Sequence, residues 1–148
     1  MNGRLLIKVI AIVSLLCGAG PALAEMVSIA RPSVHMRSGP GTNSPVRFEL
    51  AAGFPLQVLG RKGGWLRVRD FEGDVGWVSA ALVSRAPRMI VKAKRVNLRR
   101  GPGTRFAVVG HADYASILAT RARSGNWVEV RARDGRIGWV RRDLVWGW

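Results

Sequence analysis

Catalysis needs side chains that move protons, attack a centre or hold a metal, and this 148-residue chain is poor in them. Its two histidines, His35 and His111, stand far apart, and its single cysteine, Cys17, lies in an apolar leader. No serine or threonine sits in a nucleophile-elbow pattern, and no residues have the spacing of a metal centre or a triad. Asp70, Glu72 and Asp74 cluster at one turn. Three carboxylates could hold a cation weakly, but a charged hairpin turn is the commoner explanation. No catalytic residue, metal site or cofactor is expected.

What the chain does carry, at repeated spacing, is tryptophan near arginine. Trp65, Arg67, Arg69 and Trp77 lie in the first half, and Trp127, Arg131 and Trp139 in the second. An indole offers wide contact area at low entropic cost and stacks on sugars or guanidinium planes. These seven are the candidate ligand-binding residues.

The elements that must position them are written twice. Residues 31–83 laid on 93–145, a shift of 62 with no gap, give 19 identical pairs, mostly glycines, tryptophans, valines and one proline. What repeats is a skeleton of turns and large anchors. Its plainest mark is Gly39-Pro40-Gly41-Thr42, returning as Gly101-Pro102-Gly103-Thr104. Proline presets φ for the second residue of a β-turn and the next glycine takes the positive φ of a type II turn. Gly39, Pro40, Gly41, Gly101, Pro102 and Gly103 are therefore expected as structural turns. No strand-loop-helix context surrounds them, so a phosphate-cradling role is set aside.

Between such breaks lie short runs rich in β-branched and aromatic residues, read as strands near 27–31 with 34–37, then 46–50, 56–61, 65–70 and 75–78, each repeated at plus 62. No stretch after the leader has a helical apolar period of useful length. Alternation puts Leu66 and Val68 on one face and Trp65, Arg67 and Arg69 on the other. The aliphatic face is the natural core, so Trp65 and Trp127 fall outside it, either as a recognition ledge or as an aromatic cap on a small barrel. For Trp77 and Trp139, core and groove wall are both open. Five short strands in about 60 residues are too few for an immunoglobulin-type sandwich and leave a small, strongly bent barrel.

The order Val96-Asn97-Leu98-Arg99, Gly101-Pro102-Gly103-Thr104, Gly125-Asn126-Trp127-Val128-Glu129-Val130 and Asp134-Gly135-Arg136-Ile137-Gly138-Trp139-Val140 resembles the bacterial SH3-like (SH3b) domain. The first copy departs from it once, with His35 in the place of Asn97. The resemblance implies an all-β chain of two tandem small SH3-like five-stranded barrels, and a cell-wall or peptide-binding role. Trp65 resembles the first tryptophan of the eukaryotic SH3 groove and Trp77 the groove tyrosine. The proline that follows there is replaced by Ser79, so a PxxP ligand is not expected.

Three segments are expected. Residues 1–24 read as a signal peptide: Arg4 and Lys8, an apolar run from Val9 to Ala19, then Ala22-Leu23-Ala24. The run is too short to span a bilayer. Residues 25–86 and 87–148 are the two barrels, and after the leader no cysteine remains. The formal charge of the chain is +15. Residues 25–86 hold 8 basic and 5 acidic residues, and 87–148 hold 14 and 4. Lys92, Lys94, Arg95, Arg99, Arg100, Arg105, Arg131, Arg133, Arg136, Arg141 and Arg142 could form one cationic surface. The function expected is an exported, periplasmic or secreted, non-catalytic module that binds peptidoglycan or another anionic envelope polymer through Trp/Arg faces. The alternative is an adaptor that holds a peptide of an envelope protein in an SH3-like groove. Nucleic acid would fit the charge, but export argues against it.

Overall fold

The computed structural model describes residues 24–148. Residues 1–23 of the expected signal peptide lie outside the described residues. Two seven-stranded antiparallel sheets account for the rest. The first contains β1 (Met26–Ile29), β2 (Ser33–Arg37), β3 (Val46–Ala51), β4 (Pro55–Lys62), β5 (Trp65–Arg69), β6 (Val75–Ser79) and β7 (Val83–Ser84). The second contains β8 (Arg88–Val91), β9 (Arg95–Arg99), β10 (Val108–Asp113), β11 (Ile117–Ser124), β12 (Trp127–Arg131), β13 (Ile137–Arg141) and β14 (Val145–Gly147). The chain is thus all-β, with two SH3-like barrels. Each first strand of the sequence reading is two, broken in the first copy at Ala30-Arg31-Pro32, and a short closing strand is added. The only helical turns among the described residues are two 3-10 turns, Ala80–Leu82 and Arg142–Leu144. No helix among those residues is long and apolar enough to cross a membrane.

The strands follow from alternation. In β5 and β12, Leu66, Val68, Val128 and Val130 are buried while Trp65, Arg67 and Arg69 face outward. They meet Met36, Leu56 and Val78 in the first core, and Leu98, Leu118 and Val140 in the second. A bulge between Val58 and Gly60, repeated between Thr120 and Ala122, bends β4 and β11. One half of each long strand then pairs with the hairpin after it and the other half with the first strand of its barrel. Glycine is required where the last hairpin strand crosses β2 or β9. A Cβ on Gly76 would lie 2.7 Å from Met36 Cγ and 2.9 Å from the Arg37 carbonyl oxygen, and one on Gly138 would lie 2.8 Å from Leu98 Cβ.

The Gly-Pro-Gly-Thr loops differ from expectation in one copy. Gly41 has φ +137°, whereas Gly103 has no positive φ. In the second copy the Gly103 N–H donates to the Gly101 carbonyl at 2.9 Å, closing a three-residue γ-turn over Pro102. The side chain packed on the turn differs too. Phe106 lies against Gly101, where a Cβ would be 2.7 Å from the ring, while the first copy has the smaller Ser44 at that position.

The barrels meet along a seam. In β8 the three consecutive residues Met89, Ile90 and Val91 are all fully buried. Met89 and Val91 belong to the second core, and Ile90, pointing the other way, does not. Its cross-strand partners are Ile117 and Trp146, and this row faces the first barrel, with β4 lying against β8 and β14. The buried Gly53 fits here: a Cβ on it would come 3.1 Å from Ile117 Cγ2 and 3.2 Å from Arg88 Nε. Phe54, Phe71 and Tyr114 continue the seam, with centroids 5.9 and 5.6 Å apart along the series. The Tyr114 hydroxyl donates to Glu72. The segment Trp146-Gly147-Trp148 extends the last strand along β8, and the Trp148 N–H donates to the Arg88 carbonyl at 3.1 Å.

Candidate functional site: twin tryptophan clefts

A cleft of about 300 Å³ opens on the first barrel, lined by Ser33, Val34, His35, Arg37, Thr42, Trp65, Ser79 and Leu82. A cleft of about 170 Å³ on the second is lined by Arg95, Val96, Asn97, Arg99, Thr104, Trp127, Arg141 and Leu144. Each residue of the second set stands 62 positions after one of the first, and five of the eight pairs are identical.

The local chain explains the wall of each cleft. Trp65 opens β5 and pairs in register with Ser79 at the end of β6, and Trp127 pairs with Arg141. The 3-10 turn that supplies the leucine is tied back beside the tryptophan. Ala80 N–H donates to the Gly64 carbonyl at 2.8 Å, and Arg142 N–H donates to the Asn126 carbonyl at 2.7 Å. The opposite wall is held by arginine. Arg37 Nη1 donates to the carbonyls of Thr42 and Ser44 at 3.0 and 2.9 Å, and Arg99 Nη1 to those of Thr104 and Phe106 at the same two distances. A charged donor bridging two carbonyls fixes the loop strongly. The Gly-Pro-Gly-Thr turn is therefore part of the cleft, since it delivers Thr42 or Thr104 to the rim.

Of the seven residues singled out from sequence, Trp65 and Trp127 line the clefts, both half-buried. Trp77 is outside the core: Val78 takes the buried face, and Trp77 stands half-buried between Arg67 and Arg37 in neighbouring strands. Trp139 stands likewise between Glu129 and Arg99. Arg67, Arg69 and Arg131 are exposed on the same outer face but do not line either cleft. Arg69 donates to Gln57. His35, the one departure of the first copy from the family pattern, is exposed on the cleft wall, 3.4 Å from Arg37 Nη2. Ser33, Arg37, Thr42, Ser79 and Leu82 are additions, and their signal in the sequence is the identity or pairing of each position with its copy.

Three members of the expected cationic surface, Arg95, Arg136 and Arg141, have carboxylate partners. Arg95 Nε lies 2.7 Å from Asp113 Oδ1, Arg136 lies 2.9 Å from Asp134, and Arg141 pairs with Asp143 through Nε and Nη2. Arg142 donates to the carbonyls of Val145 and Gly147, and Arg105 lies 4.9 Å over the Phe106 ring. The hydrogen bond from Arg95 and its charge hold the Asp113 carboxyl below the usual carboxylate range, and Asp113 raises Arg95 in return.

The acidic trio of the first copy is a turn. Asp70 is buried, and its Oδ1 accepts the N–H groups of Glu72 and Asp74, both at 2.9 Å. No group of three or more metal-ligating side chains occurs among the described residues. A third cleft, about 480 Å³, opens at the seam among Ala51, His111, Asp113, Ser116, Arg133 and Asp134.

A match to a known family agrees with this architecture. A family model described as bacterial SH3 domain matches residues 30–85 and again 92–147. A putative N-acetylmuramoyl-L-alanine amidase, YrvJ of Bacillus subtilis strain 168, is 23% identical over 128 residues, which is 79% of this chain and 24% of that protein. The chain thus spans about a quarter of the length of that relative. Among solved structures, an NlpC/P60 family protein from Bacillus cereus is 13% identical with a TM-score of 0.39, covering 84% of this chain and 56% of that one. NlpC1 from Trichomonas vaginalis is 15% identical with a TM-score of 0.38, covering 90% and 50%. Superpositions this loose carry no argument about the chain.

Proposed function

The chain belongs to the bacterial SH3 domain family, carrying the domain twice, and from that premise we propose that it is a non-catalytic, exported module that holds peptidoglycan through its twin tryptophan clefts. The observation that carries this reading is the recurrence of one lining, position for position and with five of eight residues identical, in both barrels. An indole wall takes the face of a sugar or of a peptide unit, and the arginine-bearing rim suits the carboxylates of wall peptides. Both clefts are at or below the size of pockets for small drug-like ligands, which fits a short stretch of polymer. Similarity to a putative N-acetylmuramoyl-L-alanine amidase supports the wall as the place of action, and the leader at residues 1–24 supports export. Two clefts on one chain raise avidity through effective concentration.

Sedimentation with purified murein sacculi tests the proposal. The chain is expected in the pellet at low salt, and a Trp65→Ala, Trp127→Ala double variant that stays folded by circular dichroism is expected to bind at least about tenfold more weakly, as loss of aromatic anchors does elsewhere. Intact protein left in the supernatant would refute the wall as ligand.

A further inference from the structure

The three cleft positions that differ between the barrels form a pattern. Ser33 is replaced by Arg95, Ser79 by Arg141, and His35 by Asn97. Two hydroxyls on the rim of the first cleft are thus two guanidinium groups on the rim of the second. The surroundings differ in the same sense. In the first cleft Ser33 donates to Glu49, and the lining has a single arginine, Arg37, whose Nη1 is held by two loop carbonyls. In the second, the guanidinium groups of Arg95, Arg99 and Arg141 face two carboxylates, Asp113 and Asp143. The first rim is neutral by formal charge and the second keeps one positive charge.

We infer that the clefts have parted in specificity: the second takes a ligand group bearing a single carboxylate, and the first takes an uncharged one. The inference rests on the reading of both clefts as wall-binding sites. Arg95 gives its Nε to Asp113, and the one hydrogen bond that its side chain makes among the described residues uses that atom. Arg141 stands next to Trp127 across the hairpin, so an anion held by it lies beside the indole face. Both acidic partners are more than half exposed, and ion pairs so exposed are weak and exchange partners easily. Either guanidinium group can therefore pass from its partner to a ligand carboxylate. One residual charge matches a carboxylate better than a phosphate dianion. The smaller volume, about 170 Å³ against about 300 Å³, suits the end of a peptide, while the larger first cleft has room for a sugar ring or a neutral peptide segment.

The test uses the full chain with 15N-labelled indoles, assigned by Trp65→Phe and Trp127→Phe, titrated with N-acetyl-D-alanyl-D-alanine and with its C-terminal amide. The Trp127 indole is expected to report binding of the acid about five- to tenfold more tightly than of the amide, while Trp65 distinguishes them by less than about twofold. Arg95→Ser with Arg141→Ser should abolish the preference at Trp127. Ser33→Arg with Ser79→Arg should create one at Trp65, which keeps the test decisive if the first pair of changes impairs folding. Equal titration of Trp127 by acid and amide overturns the inference, as does a preference that survives Arg95→Ser with Arg141→Ser. If sacculi still sediment the chain in either case, wall binding stands and only the division of labour falls. Silence of both indoles toward both dipeptides overturns the inference, and if sacculi also fail to sediment the chain, the wall reading falls with it.

Discussion

At the seam the two barrels show unlike ends. The first presents Phe54 and Phe71, and Tyr114 from its neighbour packs at a tilt against Phe71. The matching positions of the second are Ser116 and Arg133, and there the cleft of about 480 Å³ stands open. The same contrast runs along the first strands. Ser28 in β1 is buried with its hydroxyl donating to the Ala86 carbonyl at 2.8 Å, and its counterpart Ile90 is buried against the other barrel. The β3–β4 and β10–β11 turns keep one left-handed conformation on different residues, Gly53 at φ +81° and Ala115 at φ +63°. The interior stays apolar in both copies, with swaps such as Met36 for Leu98 and Leu50 for Ala112. Changes of chemical character lie at the seam and at the rim of the cleft.

Three measurements break or sharpen that contrast. The largest effect belongs to Ile90→Ala, which removes a fully buried side chain and should cost about 2–4 kcal/mol in urea unfolding, against about 1 kcal/mol for Ser28→Ala. A loss below about 1 kcal/mol at Ile90 would mean that the seam is not a packed interface. Next is Asp70→Ala, which strips two backbone N–H groups of their acceptor and is expected to cost about 1–2 kcal/mol. Amide exchange at Glu72 and Asp74 should quicken accordingly. The second copy already has Ala132 at that place and uses Asp134 to accept the Arg136 N–H instead, so Ala132→Asp should leave stability nearly unchanged. The smallest effect is electrostatic. Asp113 titrates below its unfolded value because of Arg95, so its contribution to stability is present above the unfolded carboxylate pKa and is lost as pH falls through the lowered folded one. In Arg95→Ser, carboxyl NMR should show the Asp113 midpoint moved upward toward the ordinary range. An unmoved midpoint would separate the two residues in solution.

Much of the architecture was legible because its cues are local. Gly63, Gly125 and the Gly-Pro-Gly-Thr loops punctuate the chain, and Leu66 with Val68 names the core face without reference to anything distant. The clefts were only half legible, since each gathers residues from β2, a loop, the start of β5 and the end of β6. The tryptophan could be picked out by type, but His35 and Ser79 have no local property that places them beside it. The turn over Pro102 differs from expectation because a type II geometry was inferred from Gly-Pro-Gly alone, and the same tetrapeptide takes different backbone angles in the two copies. The seam left a sign that passed unread. Met89-Ile90-Val91 breaks the alternation of a one-sided strand, and three buried aliphatics in succession mean burial on both faces.

Each barrel joins its first strand to its last segment, β1 to β7 and β8 to β14, and the Ser28–Ser84 contact spans 56 positions. The hairpins from β4 to β6 and from β11 to β13 need only short turns to form, so they can assemble early, whereas the join must wait for a long loop to close. A chain that emerges residue by residue, from a ribosome or through an export channel, therefore carries each barrel as an open ribbon until its closing strand arrives. The first ring can shut once Ser84 is out, before most of the second has appeared, and Ile90 then finds its docking surface already built.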